Sequence, residues 1–126
     1  MDNSLTYKII GCAMEVYKTL GPGLLESVYE RALMYELELQ GLKAQNQVPV
    51  SVNYKGQDLG EGLRLDILVE DEVIVELKSV EEIKNIHCKQ LGSYLKLCDK
   101  RTGLLINFNV DDLMDGIKRI KNGYEE

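Results

Sequence analysis

From residue 5 onward, apolar side chains recur at helical spacing as Leu5, Ile9, Cys12, Ala13, Val16 and Leu20. Asn3 or Ser4 is available as an N-cap, and Gly21-Pro22-Gly23 ends the run. A second helical run starts at about Leu24, carries Leu25, Val28, Tyr29, Leu33, Leu37 and Leu39, and stops at Gly41. The spacing predicts two helices joined at a tight corner.

The period then changes from helical to two. Val48, Val50, Val52 and Tyr54 alternate with polar or small residues, as in a half-buried strand, and Lys55-Gly56-Gln57-Asp58 reads as a turn. Leu63, Leu65, Ile67 and Val69 alternate again, Glu70-Asp71-Glu72 forms a loop, and Val73, Val75 and Leu77 make a third alternating set. Helical spacing returns over residues 80–98 through Val80, Ile83, His87, Leu91, Tyr94, Leu95 and Cys98. Residues 103–108 are a short, nearly continuous apolar run, the pattern of a strand covered on both faces. Asp111 or Asp112 is expected to open a last helix with Leu113, Met114, Ile117 and Ile120. The predicted order is α-α-β-β-β-α-β-α, without a linker or repeat, hence one mixed α/β (α+β) domain over residues 1–126.

Composition narrows the class. A chain of 126 residues supports one core, and 44% hydrophobic with 29% charged residues is ordinary for a globular fold. Fifteen Lys and Arg against twenty-one Asp and Glu give a net charge of −6, which argues against a polybasic binder held to nucleic acid by bulk charge. The three cysteines, Cys12, Cys88 and Cys98, have no paired spacing, and reduced thiols in a cytoplasm are expected. The N-terminus lacks a signal-peptide pattern, and no run of about 18 apolar residues occurs, so neither secretion nor a membrane partner is expected.

The strongest local chemistry lies on the second and third strands. Glu76 and Lys78, two residues apart, project from one face, while Val73, Val75 and Leu77 project from the other. If residues 70–72 form a three-residue loop, Val69 pairs with Val73 and Asp66 falls opposite Glu76, with Cβ atoms about 5 Å apart. Like charges so close raise a pKa unless a cation sits between them. Carboxylate oxygens suit Mg²⁺ or Mn²⁺, and Lys78 beside the pair could position water and offset charge on a phosphoryl oxygen. The alternative is a set of solvent-facing strand charges in which Lys78 neutralises Glu76.

Asp66, then Glu76-x-Lys78, in an α-β-β-β-α-β order, resembles the PD-(D/E)xK nuclease superfamily. The resemblance implies a restriction-endonuclease-like core: three antiparallel strands, then a helix and a further strand, in a mixed sheet flanked by helices. It also implies that Asp66 and Glu76 hold the metal and that Lys78 assists attack on the phosphodiester. Gln90-Leu91-Gly92-Ser93-Tyr94 is similar to the Gln-x-x-x-Tyr motif of the exonuclease-like branch, with Gln90 and Tyr94 on one helical face. Gly23-Leu24-Leu25-Glu26-Ser27-Val28-Tyr29 matches the motif of the GxxExxY protein family, within the same superfamily. There Glu26 corresponds to the additional acidic residue, a third metal ligand. Read from its position alone, it stabilises a helix N-terminus. Tyr29 and Tyr94 are equally readable as core aromatics.

Charge is unevenly distributed. Residues 83–101 hold Lys84, Lys89, Lys96, Lys100 and Arg101 against Asp99, and Lys89, Lys96 and Lys100 fall along one helical stripe. A phosphate backbone could follow that stripe toward Gln90, or the stripe is an ordinary solvated face. Residues 61–82 carry eight acidic and two basic residues, a balance that repels nucleic acid unless metal neutralises it. His87, the lone histidine, reads as a semi-exposed imidazole, and a structural zinc site is not expected. Together these features predict a Mg²⁺- or Mn²⁺-dependent nuclease, with DNA favoured over RNA as partner and sequence-specific action requiring a partner or homodimer. The rival is a nuclease-fold module without catalysis that binds nucleic acid or protein.

Overall fold

The computed structural model describes residues 3–122, whose first two elements follow the helical periodicity. Helix α1 spans Ser4–Leu20 and α2 spans Glu26–Leu39. Asn3 occupies the N-cap of α1 but makes no side-chain cap; its carbonyl accepts from Tyr7 N–H and Thr6 Oγ1 instead. The corner between the helices depends on Gly21 at φ 71° and Gly23 at φ 96°, conformations that a side chain disfavours. Because that corner runs to Leu25, α2 begins two residues later than the spacing suggested, and Leu25 is left exposed. Leu39, in the last turn, is also exposed.

The sheet is built from β1 (Ala44–Tyr54), β2 (Gln57–Val69), β3 (Val73–Lys78), β4 (Thr102–Asn107) and β5 (Ile117–Lys121), in that spatial order. The first three are antiparallel, β3 and β4 are parallel across helix α3 (Asn85–Cys98), and β5 is antiparallel to β4. Lys55 and Gly56 both take positive φ, a two-residue turn whose twist suits a hairpin, so Gln57 and Asp58 belong to β2. Alternating side chains divide the core. Val73, Val75, Leu77, Leu104 and Ile106 pack with Ile9, Val16, Tyr29, Leu33 and Phe108 on the α1/α2 face. Ile74 and Leu105 pack with Leu91 and Leu95 of α3 on the other. Each such buried side chain contributes roughly 1.5–3 kcal/mol relative to exposure.

Three expectations are corrected. Residues 80–84 are not helical: Val80 is held by Asn107, and α3 opens at Asn85 with His87 Nδ1 accepting Lys84 N–H at 3.0 Å. The last helix is a four-residue 3₁₀ turn, Leu113–Gly116, capped by Asp112, followed by a strand. Tertiary pairing with the free edge of β4 overrides the helical period there. Gly116 permits that pairing, because a Cβ at this position would lie 2.3 Å from Asn107 O. Finally, Leu63, Leu65, Ile67 and Val69 do not share a face: Leu63 and Leu65 join the α3 side, and Ile67 and Val69 join the α1/α2 side. The alternation breaks at Asp66. None of the described helices is long and apolar enough to cross a membrane, and the three cysteines are free thiols.

Candidate active site

The β2–β3 turn fixes the register of the site. Glu70 and Asp71 adopt left-handed conformations, and Val69, Leu68 and Ile67 pair with Val73, Ile74 and Val75, the predicted register. One step further, the ladder gives way. Asp66 N–H donates to Glu76 Oε2 at 3.1 Å, and Leu77 N–H donates to Asp66 Oδ2 at 2.8 Å. Carboxylates thus replace the carbonyls that would otherwise hold the strands together, and Asp66 and Glu76 meet where β2 and β3 separate. Among the described residues, the second oxygen of each carboxylate receives no hydrogen bond from an N–H group.

Burial makes this pair electrostatically costly. Glu76 is only 6% exposed, and its pKa is pushed up to about 8, first by desolvation and then by the Asp66 charge. The Asp66 N–H and the Lys78 ammonium pull the other way without cancelling those effects. Burial also raises Asp66 despite the Leu77 N–H, with Glu30 and Glu26 adding repulsion and Lys78 opposing it. Lys78, the last residue of β3, therefore faces both carboxylates, yet among the described residues it makes no direct ion pair.

The corner motif is tied to the end of β3. Tyr29 stacks on Phe108 with centroids 4.3 Å apart. Its hydroxyl donates to Gly21 O at 2.5 Å and accepts Leu24 N–H at 3.1 Å. Ser79 Oγ donates to Leu24 O at 2.7 Å, and Ser79 N–H donates to Glu26 Oε2 at 3.3 Å. Tyr29 is thus a core aromatic that pins the corner, and Glu26 sits beside the residue that follows Lys78. Glu26 reaches Asp66 electrostatically, but it does not complete a three-ligand cluster. Among the described residues, no three ligand-type side chains gather closely enough to hold a metal ion.

Tyr94, half-buried on α3, has its hydroxyl pKa raised by burial and then by Glu76 and Asp66, so its phenol lies within reach of their charge. Gln90, one turn earlier, is exposed. Lys89 and Lys96 are exposed on α3 without ion pairs among the described residues. Lys100 leaves the predicted stripe. The helix ends at Cys98, Asp99 turns left-handed at φ 55°, and Lys100 Nζ lies 3.1 Å from Asp71 in the β2–β3 turn.

Sequence reading missed Glu30. It lies one turn after Glu26, half-buried, and contributes to the charge around Asp66. Its i+4 spacing from Glu26 was the available signal. The donor set fits a hard divalent cation. Two carboxylates whose buried charges repel, each with an oxygen free of N–H donors, are what Mg²⁺ or Mn²⁺ accepts alongside water and substrate phosphate.

Comparison with known proteins agrees with this geometry. The model of a family described as the PD-(D/E)XK nuclease superfamily matches residues 3–120. The crystal structure of SSO0001 is similar, with a TM-score of 0.59 at 20% sequence identity over 79% of this chain and 52% of that one, which supports a restriction-endonuclease-like fold. The chain thus spans about half the length of that protein. No curated protein sequence matches significantly.

Proposed function

The chain belongs to the PD-(D/E)XK nuclease superfamily, and from that premise we propose that it hydrolyses phosphodiester bonds in DNA at a Mg²⁺- or Mn²⁺-dependent centre built on Asp66, Glu76 and Lys78. Members of this superfamily are generally dependent on divalent metals. The observation that carries the proposal is the reciprocal bonding of Asp66 and Glu76 at the split between β2 and β3. Burying both groups in ionised form is costly, and a divalent cation between them offsets that cost.

Asp66 and Glu76 would hold the cation, with Glu26 as a third acidic contact through water or a small side-chain movement. The bound ion would neutralise charge on the scissile phosphate and polarise its oxygen. Lys78, uncommitted to a direct ion pair among the described residues, orients a water for attack and offsets the negative charge that develops on the phosphoryl group. Tyr94 would sit beside the carboxylates, and Gln90, exposed one turn earlier on α3, would contact the substrate phosphate. Lys89 and Lys96 are the cations left on α3 to follow the phosphate backbone. The Gly23, Glu26 and Tyr29 motif supports assignment to the GxxExxY family.

The test is cleavage of end-labelled linear and circular DNA, single- and double-stranded, with Mg²⁺, Mn²⁺ or EDTA. Lys78→Ala is run beside the wild type and RNA is included as a further substrate. Metal-dependent cleavage that is lost in the variant is the expected result. The lack of a three-ligand cluster among the described residues favours one second reading, a catalytically inactive nuclease-fold module. That module binds nucleic acid equally well with and without EDTA and cleaves none of these substrates.

A further inference from the structure

Asp66 is freed from its neighbours on both sides of β2. Toward β3 the carboxylate exchange described above replaces the ladder. Toward β1 the ladder pairs Asn46 with Ile67 and Val48 with Leu65 but skips Gln47 and Asp66. The skipped residue, Gln47, takes φ 52°, a left-handed conformation in the middle of a strand and uncommon for a residue with a side chain. This kink coincides with the break in alternation that sends Leu65 and Ile67 to opposite faces of the sheet.

Glu30 holds the kink. Its Oε2 accepts Asn46 Nδ2 at 2.9 Å and its Oε1 accepts Gln47 Nε2 at 2.8 Å. Adjacent side chains in a regular strand project to opposite faces and could not both reach one carboxylate. They do so here because the left-handed turn at Gln47 swings its side chain to the side of Asn46. The geometry points to Glu30 as a positioning residue: its carboxylate clamps Asn46 and Gln47, fixes the kink in β1, and thereby leaves Asp66 free to turn its carboxylate onto Leu77 N–H. This inference rests on the proposed role of Asp66 in holding the cation. Its consequence is that metal affinity depends on a helix residue that does not itself contact the ion.

A double-variant cycle tests the assignment. Glu30→Gln removes one of the two acceptors, leaves an amide donor facing another donor, and loosens the kink. Gln47→Gly lets the backbone adopt positive φ without the clamp. Two readouts are followed, Mn²⁺ affinity by calorimetry and hydrogen-exchange protection of the Leu77 amide, with thermal melts confirming that each variant is folded. In the Glu30→Gln variant both should fall about tenfold, the scale of losses seen when groups that orient metal ligands are removed. In the Gln47→Gly background the same substitution should cost little. An equal loss in both backgrounds overturns the proposal, since Glu30 would then act directly on the metal or through the fold. No loss in either background overturns it as well. If the wild-type protein binds no Mn²⁺ and cleaves nothing, the nuclease reading fails, and Leu77 protection still decides whether Glu30 positions Asp66.

Discussion

Two acidic groups share the β2–β3 hairpin and are treated oppositely by the fold. At its turn, Asp71 is exposed and paired with Lys100, while Glu70 accepts Lys43 N–H at 2.6 Å. Four residues from the turn on either side, Asp66 and Glu76 are drawn inward, bonded to each other's strand, and left with Lys78 as a neighbour that does not pair with them. Negative charge is densest at the turn, at Glu70, Asp71 and Glu72, whereas burial sets Asp66 and Glu76 apart. Exposed pairs such as Lys100–Asp71 contribute about 0–1 kcal/mol, because water screens them. The buried pair stores repulsion that a cation can relieve.

Substitutions on the two sides should therefore differ sharply. The largest effect is expected from Glu76→Gln, which retains an acceptor for Asp66 N–H and so should fold. Cleavage should drop roughly 100- to 1,000-fold, and calorimetry should detect no Mn²⁺ binding. Next comes stability against pH without metal. The Glu76 pKa lies at about 8 in the folded chain and near 4.3 in an unfolded one, so the folded state holds the extra proton between those values. Stability should fall as pH rises through that window and level off above it. The loss should be of order 2–4 kcal/mol at about 1.4 kcal/mol per pKa unit, discounted for coupling to Asp66. Denaturant titrations at pH 5 and pH 9 measure it; Glu76→Gln should flatten the dependence, and Mg²⁺ should restore stability at pH 9.

Smaller changes are expected on the basic surface. Lys89→Ala and Lys96→Ala should each weaken DNA binding uniformly across sequences and lower the salt-dependence slope by about 1, as read by fluorescence anisotropy at several salt concentrations. The smallest effects belong to the turn. Lys100→Ala and Asp71→Asn should each change stability by less than about 1 kcal/mol and leave Mn²⁺ affinity unaltered. A large loss of metal affinity from either would erase the distinction between the two acidic groups.

Much of this was legible in the chain because it depends on local period. The three-residue turn at 70–72 and the alternation over 73–77 set the register that brings Asp66 opposite Glu76, and the two N-terminal helices followed from their apolar spacing. What escaped depends on distant partners. Ile117 and Ile120 fit a helix as readily as a strand until the open edge of β4 and the close approach at Gly116 are known. Lys100 fitted a helical stripe until Asp99 turned left-handed and delivered it to Asp71. Val80 read as helical because its hold by Asn107, twenty-seven residues away, has no signature in local spacing. Glu30 had a visible i+4 relation to Glu26, but its grip on Asn46 and Gln47 required the kink in β1.

Asp66 and Glu76 should together take up a divalent cation by giving up a proton. Mn²⁺ calorimetry at pH 7, in two buffers of different ionisation enthalpy, reads both events at once, because burial and the neighbouring Asp66 charge push the Glu76 pKa up to about 8. Binding in the wild type, release of about one proton per ion, and loss of both signals in Glu76→Gln are expected. Binding without proton release, or binding that survives in the variant, would contradict this.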